Sequence, residues 1–128
     1  MADNVTVTTG SYTAVIGSTD VGSGVQVQHV RQRPATAFIT GNKSAISTSA
    51  VQLLTGSTAL VNGIIVKADE SNSGTVWVGI STVTAGTTDA TDGYKLTAGE
   101  SVGFQIDNAN KVYVIGSAAS QRVSWLGV

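Results

Sequence analysis

The chain has 128 residues, no cysteine, a formal net charge of −1 and a charged fraction of 12%. That fraction is about half of the roughly 25% usual in soluble domains, and seven basic against eight acidic residues create no basic field for nucleic acid or an anionic membrane. The missing cysteines exclude disulfides and thiolate metal sites. Such a weakly charged surface favours association with copies of itself or with another protein.

The first 48 residues predict an N-terminal arm and β-extension. Short β-prone runs lie at Val5–Val7, Tyr12–Ile16, Val25–Val30 and Ala37–Thr40, and Gly17–Gly24 separates two of them. Large apolar residues are too sparse here to build a core. We therefore expect residues 1–48 to pack on the remaining domain or on a partner.

Residues 49–128 predict a sandwich domain. The period-two alternation of half-buried strands is clear in Thr75–Ile80, Ser101–Ile106 and Val123–Leu126. Val112–Ile115 is apolar on both faces, which predicts a strand that is either central or packed at an interface. Because strands recur every ~8–15 residues, the fold class is all-β, an antiparallel β-sandwich that is jelly-roll-like, with the N-terminal β-arm extended from it.

The predicted turns are rich in Asp, Asn and Gly. Asp69–Gly74 and Asp107–Asn110 read as hairpin-like turns, and Thr97–Gly99 reads as a tight turn. Thr82–Asp92 is the one longer loop and the candidate mobile or functional loop. Its carboxylates, Asp89 and Asp92, allow a weak Ca²⁺ site, but local hydrogen bonding within the loop is the preferred interpretation because the ligand density of an EF-hand is lacking.

Catalytic chemistry finds no support in the sequence. The single histidine, His29, has no nucleophile motif to accompany it, and its polar neighbours indicate an exposed or interface strand. Zinc would need three or four ligands that the chain does not group together. We expect no enzyme, no cofactor and no metal. The apolar stretch around Gly63–Val66 is too short to span a bilayer, so no membrane segment is predicted.

Arg31 and Arg33, followed by Pro34, allow two interpretations of equal weight. The guanidinium groups could bind carboxylates on a partner. They could equally belong to a solvated edge strand that charge and proline protect from unwanted pairing.

The aromatic residues also leave two possibilities open. They could form a sugar-stacking platform, or they could lie in the core and at subunit interfaces, which is the preferred reading. The residues concerned are Trp77, Tyr94, Tyr113 and Trp125.

Two long phrases resemble virion proteins of tailed bacteriophages. The opening MADNVTVTTGSYTAVIGSTDVGSGVQVQHVRQR is similar to the starts of small virion proteins. The stretch GTVWVGISTVTAGTTDATDGYKLTAGESVGFQIDNANKVYVIGSAASQRVSWLGV resembles the terminal β-domain of head-decoration and head-fibre proteins. These are packing and turn phrases, not a catalytic signature. No fibre shaft follows the last strand, which favours a short cement protein.

The resemblance implies a sandwich on the outer capsid surface of the virion, often a homotrimer, that clamps subunits of the major capsid protein. The alternative is a carbohydrate- or receptor-binding module of a tail spike, tail fibre or head fibre. Partners are therefore expected to be capsid protein and further copies of the chain, not nucleic acid or membrane. Candidate capsid and subunit interface residues are Val5, Val7, Tyr12, His29, Arg31, Arg33 and Trp125.

Overall fold

A computed structural model describes the backbone of residues 2–9, 12–20, 26–28 and 35–128, and the side chains of residues 35–128. The chain divides into two compact units, Met1–Arg33 and Pro34–Val128. Each unit is described by itself below.

The first unit contains a three-stranded antiparallel sheet in the order β1-β2-β3, formed by β1 (Ala2–Thr9), β2 (Tyr12–Asp20) and β3 (Gln26–Gln28). β1 and β2 pair along their whole length, from Ala2 opposite Thr19 to Thr9 opposite Tyr12. The predicted β-rich character of this segment therefore takes the form of strands that pair with one another.

The second unit consists of two four-stranded antiparallel sheets. The first sheet has the order β4-β11-β6-β9, and its strands are β4 (Ile39–Ile46), β11 (Gln121–Gly127), β6 (Ile64–Ala68) and β9 (Ser101–Phe104). The second has the order β5-β10-β7-β8, and its strands are β5 (Val51–Gln52), β10 (Tyr113–Gly116), β7 (Val76–Gly79) and β8 (Tyr94–Leu96). The helical structure in the described residues is one 3₁₀ turn, Ala109–Lys111.

One hydrophobic core lies between these sheets. Alternate residues of β6 and β11 are buried, as the period-two pattern requires. They meet Val76 and Val78 of β7 and Val114 of β10 from the opposite sheet. The all-β, sandwich-like fold predicted from the alternation is confirmed at this level.

β10 occupies a central position, one of the two possibilities that its sequence left open. It pairs with β5 on one side and with β7 on the other. Val114 packs into the main core, whereas Ile115 packs on the opposite face of the sheet with Trp77 and Val83. Both faces of the strand are covered, which explains why it lacks polar alternation.

The two turns predicted to be hairpin-like do not join paired strands. Asp69–Gly74 joins β6 to β7, and Asp107–Asn110 lies between β9 and β10, so each connects strands of different sheets. Turn-forming residues specify a reversal of the chain but not which strands then pair. The sequence pattern therefore could not separate a hairpin within one sheet from a connection between two sheets.

The sequence placed residues 1–48 outside the sandwich, whereas β4 pairs with β11 along most of its length. Only the start of β4 was predicted, within the β-prone run Ala37–Thr40, because its burial is weak and its pattern is interrupted. The pairing register shifts between Gln121 and Val123, near Ala45, which has φ of 56°. Such a bulge breaks the alternation by which strands are recognised.

Candidate functional site

The outer face of the β4-β11-β6-β9 sheet is a flat surface with little charge. Ile65 is half exposed there, and Leu126 lies opposite it on the neighbouring strand. Two shallow depressions of about 480 Å³ each extend over this face. We call it the outer-face patch, comprising Thr40, Asn42, Ile65, Gly103, Ser124 and Leu126.

Charged groups lie at one end of the outer-face patch. Lys67 forms an ion pair with Glu70 at 2.9 Å, and both side chains are well exposed. An exposed pair of this kind contributes little stability, about 0–1 kcal/mol. The remainder of the patch offers apolar groups, hydroxyls and an amide, which suits a protein partner without a strong opposite charge.

A second apolar surface lies at one side of the sandwich, where β8 and β9 are the edge strands of their sheets. Ile80 and Tyr94 are 67% and 63% exposed, and Val78 forms part of the floor. The opening encloses about 360 Å³. We call it the edge cleft, lined by Val78, Ile80, Tyr94, Val102, Phe104 and Ile106, with Lys111 beside them.

The long predicted loop, Thr82–Asp92, covers the outer face of the β5-β10-β7-β8 sheet. Trp77 points to the outer face of β7 and donates its indole Nε1–H to the carbonyl of Gly86 at 2.9 Å. Val83 packs beside that ring and is buried. A Cβ on Gly79 or Gly93 would approach Val83 within 2.7 Å, so both glycines are needed for this close contact. The loop thereby buries an apolar surface that would otherwise face solvent.

Asp92 holds this loop through hydrogen bonds of its carboxylate. It accepts from the backbone N–H of Asp89 at 2.7 Å, from the Thr84 hydroxyl at 2.8 Å and from the backbone N–H of Thr88 at 2.6 Å. These bonds, led by the one from Asp89, hold the pKa of Asp92 below its ordinary value although partial desolvation opposes them. Its oxygens therefore already have donors, which agrees with the local-bonding interpretation of the loop.

Gln121 ties together two turns and gave no signal in the sequence. Its Oε1 accepts from the backbone N–H of Gly74 at 2.8 Å, and its Nε2 donates to the carbonyl of Ala119 at 2.8 Å. It is the buried polar residue of the described part of the chain. A glutamine between Ser120 and Arg122 resembles any exposed strand residue, so only the fold reveals its position.

Six of the seven predicted interface residues have side chains outside the described part of the chain. Val5 lies in β1 and Tyr12 in β2, and their side chains are outside the described residues, as is that of Val7. His29, Arg31 and Arg33 lie wholly outside the described residues. The sequence predicted neither the outer-face patch nor the edge cleft.

Trp125 is the one predicted interface residue with a described side chain, and it lies in the core, not on the surface. It is 7% exposed, and its indole covers Gly41 of the adjacent strand, where a Cβ would come within 2.5 Å of the ring. Its position on β11 follows the inward-facing alternation with Val123. A tryptophan near a chain end carries no mark that separates core from interface.

The other aromatic side chains do not form a stacking row. Trp77 is buried, Tyr113 is partly buried, and Tyr94 is exposed in the edge cleft. Within residues 35–128, no group of three or more His, Asp or Glu side chains is placed to hold a metal ion. In the same part of the chain, no helix is long and apolar enough to cross a membrane.

Comparison of the chain with protein-family models, with curated proteins and with solved structures found no match.

Proposed function

We propose that this chain is a virion structural protein that decorates the outer capsid surface of a tailed phage. In this role it associates with copies of itself and stabilises contacts between subunits of the major capsid protein, without enzymatic chemistry and without a cofactor. The observation that carries the proposal is the surface of the second unit. Its large exposed apolar side chains are set among few charges, and among the described residues they include Phe38, Val61, Ile65, Ile80 and Tyr94.

The strand order adds support at the level of architecture. Successive strands from β4 to β11 alternate between the two sheets, apart from the β7–β8 pair, which stays in one sheet. We assign this order to an eight-stranded jelly roll, the double-sheet fold with two Greek keys. Viral capsid proteins use this fold, but so do lectins, so the architecture alone does not decide the function.

The interior supports a structural role over a catalytic one. In the described residues the buried set is apolar except for Gln121, which is fully occupied in hydrogen bonds to two turns. The carboxylates with lowered pKa are Asp69, Asp92, Glu100 and Asp107, and each accepts hydrogen bonds within its own turn or loop. Such carboxylates maintain the turns, whereas a catalytic pair would converge on a cleft.

The two units suggest a division of work. The first unit, Met1–Arg33, docks on the capsid, and the second unit, Pro34–Val128, provides self-association. The resemblance noted above implies a homotrimer. Several weak docking contacts made at once by an oligomer gain strength from effective concentration, so each copy needs only a modest affinity for the capsid.

The carbohydrate- or receptor-binding alternative has less support. A sugar-stacking site needs exposed aromatic rings beside polar groups, whereas Trp77 and Trp125 are both buried. Tyr94 is exposed, but the cleft around it is lined by aliphatic and aromatic side chains.

The test uses heads assembled from the major capsid protein encoded by the same genome. The full chain is incubated with these heads, sedimented with them and imaged by cryo-electron microscopy. We expect co-sedimentation and added density on the outer surface. A chain beginning at Pro34 keeps every residue of the main core, so it should fold but no longer bind.

Two results would contradict parts of this proposal. Absence of the full chain from the sedimented heads would refute the decoration function. Full binding by the chain that begins at Pro34 would refute docking through the first unit. Glycan-array binding by the full chain would instead favour the receptor-binding alternative.

A further inference from the structure

The four edge strands of the second unit differ in how they are protected against pairing. β5 has two residues, β8 has three and carries the exposed Lys95, and β4 carries Lys43 and a register break near Ala45. Short length, lysine and bulges are the devices by which sheets block unwanted edge pairing. β9 has neither a lysine nor a bulge, because its four residues, Ser101–Phe104, are uncharged and pair regularly with β6, and it is longer than β5 and β8.

The free side of β9 offers backbone hydrogen-bonding groups. Ala68 donates its backbone N–H to the carbonyl of Glu100 at 2.8 Å, which fixes the phase of the β6–β9 ladder. Because bonded pairs alternate in an antiparallel ladder, Val102 and Phe104 bond to β6. The N–H and C=O groups of Gly103 therefore point away from β6, toward solvent.

Apolar side chains flank that free edge on both sides. Val102 and Phe104 face the edge cleft together with the exposed Ile80 and Tyr94. On the outer face, Ile65 leans toward Gly103, with its Cγ1 3.3 Å from the position of an added Cβ. The chemistry that fits this edge is an uncharged extended strand with apolar residues at alternate positions.

We propose that this edge pairs with β9 of a second copy of the chain. This inference rests on the self-association part of the proposed function and gives it a two-fold contact, in place of the homotrimer that the resemblance implies. An antiparallel two-fold pairing places Gly103 opposite Gly103 of the second copy and Val102 opposite Phe104 of the second copy. Facing residues then share a face of the joined sheet, as strand pairing requires, and the edge clefts of the two copies meet.

Charge supports a second copy as the occupant. The chain has a net charge of −1, so two copies repel each other weakly. The β9 residues that face each other carry no charge, and Gly103 leaves no side chain at the two-fold axis to obstruct the approach. A charged partner strand would meet no opposite charge on β9.

The experiment measures the mass of the full chain by native mass spectrometry over a dilution series. We expect a dimer, or a larger assembly with an even number of copies, because the contact has two-fold symmetry. Gly103→Lys should weaken self-association at least roughly tenfold, since it brings two lysines together at the axis. Ser44→Lys, an exposed substitution on β4, the opposite edge strand of the same sheet and outside the outer-face patch, is the matched control and should leave the mass unchanged.

Circular dichroism establishes that each variant folds, and Ser101→Lys tests the same edge if Gly103→Lys does not fold. A monomer at every concentration, or an even-numbered assembly that both edge variants preserve, would overturn the pairing. A lone trimer of three 13.0 kDa chains would also overturn it while leaving the decoration proposal intact. Absence of capsid binding by a chain that still dimerises would refute the decoration proposal and leave the pairing of β9 intact.

Discussion

Truncation of Trp125 to alanine separates a core role from an interface role for this side chain. The residue is 7% exposed, so almost all of its surface leaves water on folding. A buried aromatic side chain removes ~150–250 Å² from solvent, which at ~25 cal/mol per Å² corresponds to about 4–6 kcal/mol. Observed losses for Trp→Ala changes in cores are about 3–5 kcal/mol, and we expect the same for Trp125→Ala.

The assay is urea unfolding followed by far-UV circular dichroism, at a concentration where the chain is dissociated. With an m-value of ~1–3 kcal/mol/M, the midpoint should fall by roughly 1–5 M at unchanged slope. Phe38→Ala is the control, because Phe38 is 65% exposed and its removal should change the free energy of unfolding by less than about 0.5 kcal/mol. If Trp125→Ala unfolds like the parent chain but no longer self-associates, Trp125 is an interface residue and the core assignment is wrong.

Three further changes probe the close contacts and the loop. Gly41→Ala drives a Cβ to within 2.5 Å of the Trp125 ring and should lower the free energy of unfolding in urea by about 1–3 kcal/mol. Gly56→Ala is the control: it has open space around it and should lower the free energy of unfolding by less than about 1 kcal/mol. Equal effects of the two substitutions would argue against the contact between Gly41 and Trp125. Trp77→Phe removes the hydrogen bond to Gly86 and should speed amide exchange in residues 80–93 but not in β6 or β11, so uniform faster exchange would contradict a local cover. The folded pKa of Asp92 is depressed, so its stabilisation of the loop is present above the unfolded pKa and is lost as pH falls through the folded value. The protection factors of the loop amides, which compare exchange with that of an unfolded chain at the same pH, should therefore fall on acidification in the parent chain and lose this dependence in Asp92→Asn. An unchanged dependence in Asp92→Asn would assign it to another group.

The sheet strands were predictable where alternation is regular. β11 shows it plainly, and the uniformly apolar Val112–Ile115 indicated a strand covered on both sides, which the second cluster around Trp77 explains. β4 was not recognised as a sandwich strand, because its interrupted pattern carries few large apolar residues. Alternation of apolar and polar residues reflects burial of one face of a strand. A strand with little burial therefore shows little alternation in its sequence.

The surfaces were harder to predict than the strands. Ile65 and Leu126 read as ordinary strand residues, and only the pairing of β6 with β11 places them side by side on an open face. The edge cleft depends on which strands end each sheet, and that follows from connections between sheets. Turn residues such as those of Asp69–Gly74 do not encode it.

The position of β11 between β4 and β6 also has a consequence for biosynthesis. Because the two strands flanking β11 pair with it and not with each other, this sheet stays in two halves until residues 121–127 have emerged from the ribosome. Nascent chains thus lack the finished sheet until that segment is available to pair. Pairing β4 with β11 in this way makes folding depend on segments that are distant in the chain, which slows it.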